Sequence, residues 1–132
     1  MREAPTSAWR RVRHKRVLVV DHDSDAAELY AIWLRRAGHR ALVAADAPRA
    51  TILAPPLRPD VAVIHIELPG MDGFELLGAL RDVPELAFCS FVAVTANLDP
   101  TLKMRCLASG FSACFGKPLL RSELVDSVFR TP

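Results

Sequence analysis

A chain of 132 residues, 51% hydrophobic and 24% charged, has the make-up of a soluble globular domain, long enough for one hydrophobic core and too short for two. No apolar run approaches the roughly 18 residues that span a bilayer, which excludes a membrane-spanning chain. The three cysteines, Cys89, Cys106 and Cys114, lie far apart without CxxC spacing, so they read as small core residues of a reducing compartment and not as a disulfide frame or zinc site.

The net charge of +2 hides an asymmetry. Arg2, Arg10, Arg11, Arg13, Lys15 and Arg16 stand against Glu3 alone, giving the first 16 residues +5, while residues 17–132 carry 11 basic and 14 acidic side chains, or −3. The sequence predicts a basic, poorly ordered arm over residues 1–15 and a domain over 16–130. The arm leads into no secretory apolar stretch, so a cytoplasmic protein is expected. A single Trp9 among its arginines is thin support for nucleic-acid contact, and nothing after the arm adds to it.

From Val17 onward, apolar runs alternate with helical periodicity, the pattern of repeated βα units on a parallel sheet. The run Val17 to Val20 stops at Asp21, as suits a central strand covered on both faces. Ser24 or Asp25 can cap the next helix, with Glu28 in capping-box position to Asp25. Ala26, Leu29, Tyr30, Trp33 and Ala37 recur there at spacings of three and four, which makes Trp33 a core residue, and Gly38 ends the helix. A second strand is expected over 41–44, then a helix over 48–54 kept short by Pro55 and Pro56. A third strand over 61–64 leads to His65, and residues 67–73 read as a loop by their Pro and Gly content. Asp72 opens a helix bearing Phe74, Leu76, Leu77 and Leu80. A fourth strand over 91–94 ends at Thr95, and a helix over 100–109 is closed by Gly110. A fifth strand over 111–115 precedes Lys117 and Pro118, and the last helix carries Leu120, Leu124, Val125 and Val128.

Sites on a doubly wound sheet form outside the carboxyl ends of its strands, near the switch in strand order. The polar residues at those ends are Asp21, His22 and Asp23, then His65, Thr95 and Lys117. Acids, a hydroxyl and a lysine converging on one pocket suit an anion such as phosphate together with a cation.

With these residues in place, the sequence resembles the receiver domain of bacterial two-component response regulators over roughly residues 16–130. The matching segments are Val17–Asp21, Pro59–Asp60 with the strand after it, Pro69–Gly73, Val94–Ala96 and Gly116–Pro118, in the family's order and spacing. The resemblance implies a flavodoxin-like α/β fold: a doubly wound five-stranded parallel sheet with five helices, the same count as the elements above. It also implies a phosphoacceptor aspartate at the end of the third strand and an acidic pair that helps hold Mg²⁺. A hydroxyl and a lysine would hydrogen-bond the acyl phosphate. Asp21, Thr95 and Lys117 match three of these positions.

Two positions depart: the phosphoacceptor position is His65, and the second acid of the pair is His22. Asp23 and Asp60 are not placed to substitute. Where the family has an aromatic read-out residue stands Cys114, with Phe115 displaced to the other side of the strand. The reading is therefore an atypical receiver with a degenerate pocket of Asp21, His22, His65, Thr95 and Lys117, switch positions Thr95 and Cys114, and no catalytic role. Mg²⁺ binding is expected to be weak or absent, and Asp21 becomes the expected partner of Lys117. Such a domain would act by contact with a signalling protein such as a histidine kinase or an output domain. A homodimer through the fourth helix, fifth strand and fifth helix is a further expectation. It would be free-standing or the first part of a longer protein.

Two alternatives compete. Asp21, His22 and His65 could form a mixed site for a transition metal, sense pH, or accept a phosphoryl group on His65 nitrogen. Alternatively, the apolar run ending in Asp21-His-Asp23 fits a haloacid-dehalogenase-like phosphatase with Asp21 as nucleophile. That scheme needs a later strand-end acid, and only Glu123 and Asp126, inside the last helix, are on offer.

Overall fold

The structure, a computed structural model, describes residues 14–131; the arm expected over residues 1–15 falls almost wholly outside them. Five strands, β1 (Arg16–Val20), β2 (Arg40–Ala44), β3 (Val61–His65), β4 (Ser90–Thr95) and β5 (Ala113–Gly116), form one parallel sheet in the order β2-β1-β3-β4-β5. Five helices connect and follow them: α1 (Ser24–Arg36), α2 (Ala47–Leu57), α3 (Gly73–Arg81), α4 (Pro100–Ser109) and α5 (Arg121–Arg130). This is the doubly wound architecture expected from the alternation of strand and helix patterns.

Strand periodicity divides the core. Leu18, Val20, Ala62, Ile64, Phe91 and Ala93 face α2, α3 and α4, whereas Val17, Val19, Val61, Val63, Val92 and Val94 face α1 and α5. Covered on both sides, β1, β3 and β4 need no polar face, which is why they read as continuous apolar runs. The order reverses between β1 and β3, so the crevice at their carboxyl ends lies at the switch point.

The helices are less evenly anchored. Burial of a large apolar side chain stabilises by roughly 1.5–3 kcal/mol, and α3 buries Leu76, Leu77 and Leu80. In α4 only Cys106 is buried. That helix relies on surface ties: Arg81 donates to the Ser109 carbonyl (2.6 Å), and the Arg105 guanidinium stacks on Phe74 at 3.9 Å.

Several sequence expectations need correction. Asp23, not Ser24 or Asp25, caps α1, since its extended backbone lets the carboxylate accept from the Asp25 and Ala26 amides. The buried stripe of α1 is Ala27, Tyr30, Ala31 and Leu34; Leu29 and Ala37 are exposed, and Trp33 is half-buried against Tyr30. Helix α2 runs through Pro55 and Pro56 to Leu57. The carbonyls those rings deprive of a donor belong to Thr51 and Ile52, both exposed where water can serve them, while Ala54 and Leu57 are buried. Strand β5 begins two residues later than expected, and a short 3₁₀ turn (Pro84–Leu86) stands before β4. Cys106 and Cys114 are buried and Cys89 is half-buried, all as free thiols.

Two contacts shape the ends of the sheet. Lys15 closes the last turn of α5, its ammonium donating to the carbonyls of Val128 (2.7 Å), Phe129 (3.3 Å) and Thr131 and to Thr131 Oγ1 (2.8 Å). At the opposite end, Asp72 and Glu75 form the capping box of α3, and Gly73 N–H donates to the Ile66 carbonyl at 2.8 Å. A Cβ on Gly73 would stand 2.8 Å from Ile66 Cα and 3.0 Å from the His65 carbonyl oxygen, both backbone atoms with nowhere to go. Gly73→Ala is therefore expected to destabilise by about 1–3 kcal/mol, read as a lower urea midpoint at unchanged slope.

Candidate functional site

The crevice residues come from four strand ends. Asp21 follows β1, His65 ends β3, Thr95 ends β4, and Lys117 follows β5. All four lie in or beside the crevice. Asp21 (2% exposed) and Thr95 are buried, and Lys117 keeps a fifth of its side chain in solvent.

Asp21 organises one side. Its Oδ1 accepts from the Asp23 amide at 2.9 Å, and its Oδ2 lies 2.9 Å from the Lys117 ammonium. The Lys117 contact is an ion pair by distance without the alignment of a directed hydrogen bond, and among the described residues Oδ2 has no other hydrogen-bond partner. Coulomb attraction needs no such alignment, and Lys117 is the compensating charge for this carboxylate. The negative charges of Asp21 and Asp23 also act on Tyr30 beneath them: burial first, then these two carboxylates, push its phenol up to about 12.

The other side is organised by a residue of the loop after β3. Glu67, two positions beyond His65, turns its carboxylate back over the strand ends. Thr95 Oγ1 donates to Oε2 at 2.6 Å, and the Ala96 amide donates to Oε1 at 3.0 Å. His65 lies between the two acids. Its Nε2 is 3.2 Å from Glu67 Oε1, its Nδ1 is 3.1 Å from the Glu67 carbonyl oxygen and 3.8 Å from Asp21 Oδ1. Partial burial raises the Glu67 pKa, but the hydrogen bonds from Thr95 and Ala96 and the neighbouring imidazole outweigh it and hold the carboxyl below its usual range.

The remaining expected residues do not assemble with these. His22 is exposed and shares none of the pocket's hydrogen bonds or ion pairs, a correction to its place in the expected pocket: Asp21 turns inward to meet Lys117, and the next side chain points out. Among the described residues no group of three or more His, Cys, Asp or Glu is arranged to hold a metal ion, so the Asp21, His22 and His65 metal site is not formed. Asp23 is occupied as the α1 cap, and Asp60 binds Arg16 at the far end of β3. Glu123, one of the two candidates for the later acid a phosphatase would need, accepts from the Leu120 amide at 2.9 Å in the first turn of α5. Cys114 packs on the α2–α4 side of the sheet and Phe115 on the α1–α5 side, as their displacement by one residue requires.

A family model of the response regulator receiver domain matches residues 17–129. The chain belongs to that family. It is 34% identical over 112 residues to an uncharacterised 14.6 kDa protein of Leptolyngbya boryana, covering 85% of this chain and 86% of that one. It is also 34% identical over 114 residues to the DNA-binding response regulator MtrA of Mycobacterium tuberculosis, covering 86% of this chain and 49% of MtrA. The receiver thus spans about half the length of the MtrA relatives it matches. Among solved structures, the chemotaxis protein CheY4 of Vibrio cholerae superposes with a TM-score of 0.83 at 27% identity, covering 90% of this chain and 99% of CheY4.

Receivers of this family are associated with Mg²⁺, which takes near-octahedral oxygen donors. The donor set here does not fit it. Among the described residues the one buried acid is Asp21, with one oxygen on a backbone amide and the other against an ammonium, and an imidazole stands beside it.

The geometry sets two expectations. Lys117→Met strands the Asp21 charge and is expected to cost about 3 kcal/mol, the low end for a broken buried pair because Lys117 is partly solvated; Asp21→Asn in the same chain should restore most of it in a double-mutant cycle. Glu67 has a folded pKa below its ordinary 4.5, so its contribution is fully present above pH 4.5 and is lost as pH falls through the folded value. Glu67→Gln should flatten that acid limb of stability in urea titrations at a series of pH values.

Proposed function

We propose that this receiver domain signals through protein contacts without being switched by aspartyl phosphorylation, with His65 at the phosphoacceptor position. The observation that carries this reading is the imidazole at the end of β3, buried between Asp21 and Glu67. An acyl phosphate forms on a carboxylate oxygen, and residue 65 supplies none. The nearby carboxylate of Glu67 is engaged by Thr95 and Ala96, and the buried Nε2 of His65 faces that same carboxylate and not solvent. Lys117, which would otherwise meet a phosphoryl oxygen, is held by Asp21.

Receiver domains work with histidine kinases and output domains, and a partner of that kind is the one proposed here, for a non-enzymatic domain in the cytoplasm. No helix among the described residues is long and apolar enough to cross a membrane. The contact surface proposed is the α4–β5–α5 face, for a partner protein or a second copy. Met104 and Leu107, one helical turn apart on α4, and Leu120 before α5 are exposed apolar residues there. Cys114 in place of an aromatic leaves its side of β5 without a large side chain to swing between pocket and surface, in keeping with a face that phosphorylation does not reset.

Incubation with acetyl phosphate or a phosphoramidate and Mg²⁺, followed by intact-mass measurement, tests the reading. No gain of a phosphoryl group is expected. A gain would overturn it, and loss of that gain in His65→Ala or in Glu67→Gln would assign the acceptor to the imidazole or to the loop carboxylate.

A further inference from the structure

Glu67 occupies the pocket as a bound anion would. A hydroxyl and a backbone amide converge on its two oxygens from Thr95 and Ala96, and an imidazole stands 3.2 Å away. Charge-assisted donors of this kind are how proteins hold oxyanions. Here the anion belongs to the chain itself, anchored two residues from His65 at the end of β3.

We propose that Glu67 is the resident ligand of an oxyanion site made by the Thr95 hydroxyl and the Ala96 amide, with His65 alongside, so that the loop after β4 is fixed by the chain's own carboxylate and an external oxyanion enters only when that carboxylate is removed. The proposal rests on the reading that the pocket is not phosphorylated, and it supplies the regulation of that pocket: permanent occupancy. A tethered ligand competes at an effective concentration in the millimolar range or above. A site open less than a tenth of the time weakens an external anion at least about tenfold.

The consequence reaches α4. Thr95 Oγ1 also accepts from the Asn97 amide at 3.3 Å, and Asp99, two residues on, caps α4 through the Leu102 amide at 2.7 Å. A helix with Cys106 as its one buried residue depends on where its amino end is fixed. Glu67 fixes it from the β3 loop, without a covalent modification that could be added or removed.

The Ala96 amide is the reporter, because Ala96 is exposed and its N–H is held by Glu67. Amide exchange and phosphate titration on the full ¹⁵N-labelled chain provide the test. In the wild type, Ala96 should be protected, and inorganic phosphate should leave the Thr95 and Ala96 resonances in place. In Glu67→Ala, Ala96 should exchange at least about tenfold faster, and phosphate should shift both resonances saturably. Glu67→Gln, which keeps the length but loses the charge, should fall between. Unchanged exchange at the buried strand residues Val63 and Val92 shows that each variant is folded. Equal Ala96 exchange in wild type and Glu67→Ala would overturn the proposal, as would no phosphate response in that variant or equally tight phosphate binding in both proteins. None of these readouts uses a phosphodonor. A phosphorylated wild type would therefore defeat the reading under Proposed function while the Ala96 result still judged this one.

Discussion

A carboxylate taken almost wholly out of water must be compensated or neutralised, and the buried charge of Asp21 is the constraint on which the pocket is built. Its compensation comes from Lys117, just after β5, the strand two places beyond β3 in the sheet order, so the pair reaches across the carboxyl ends of β3 and β4. That reach ties the first segment of the fold to the last. It also uses both groups on each other, leaving one acid with a backbone amide and a lysine, a poor site for a hard cation. The same pair that stabilises the crevice thereby narrows what the crevice can do.

The second acid works under different conditions. Glu67 is nearly half exposed, and although burial is the largest single influence on it, its hydrogen bonds and the neighbouring imidazole together outweigh that burial; Asp21 is sealed and needs a full opposing charge. His65 bridges these regimes, with one nitrogen near each acid. The pocket is a connected network of side chains in which Thr95, the hydroxyl that sequence alone would assign to a phosphoryl group, already has an acceptor. Networks of this sort rigidify when every member is satisfied, and the members left without directed partners, Asp21 Oδ2 and His65 Nε2, each face a group of complementary charge or polarity within 3.2 Å.

The parts of this fold that were legible in the sequence are those where a single physical demand dominates. Strands buried on both faces have to be apolar throughout, so β1, β3 and β4 announced themselves, and the polar residue ending each run marked the pocket. The Asp21–Lys117 pair followed from the family resemblance joined to chemistry, since a pocket lysine whose usual acceptor position holds an imidazole takes the acid that remains. The failures share a cause: several weak signals competing. Ala26 and Ala27 are equally good inward residues, and only packing against the sheet chose Ala27. Pro55 and Pro56 say stop, yet the buried Leu57 and solvent-facing carbonyls let α2 continue. Glu67 had no periodicity to place it, because a loop acid has no face. Its one available signal was indirect: Thr95, a hydroxyl bound for burial, needed an acceptor within reach.

The clamp between Lys15 and the end of α5 sets where this domain can be joined to anything else. Lys15 lies immediately before β1 and Thr131 immediately after α5, and they touch, so both connections leave from the amino-terminal pole of the sheet, about a strand's length from the crevice. Tension applied across those two anchors would load the Lys15 contacts with the end of α5 directly, at the pole opposite the Asp21 network.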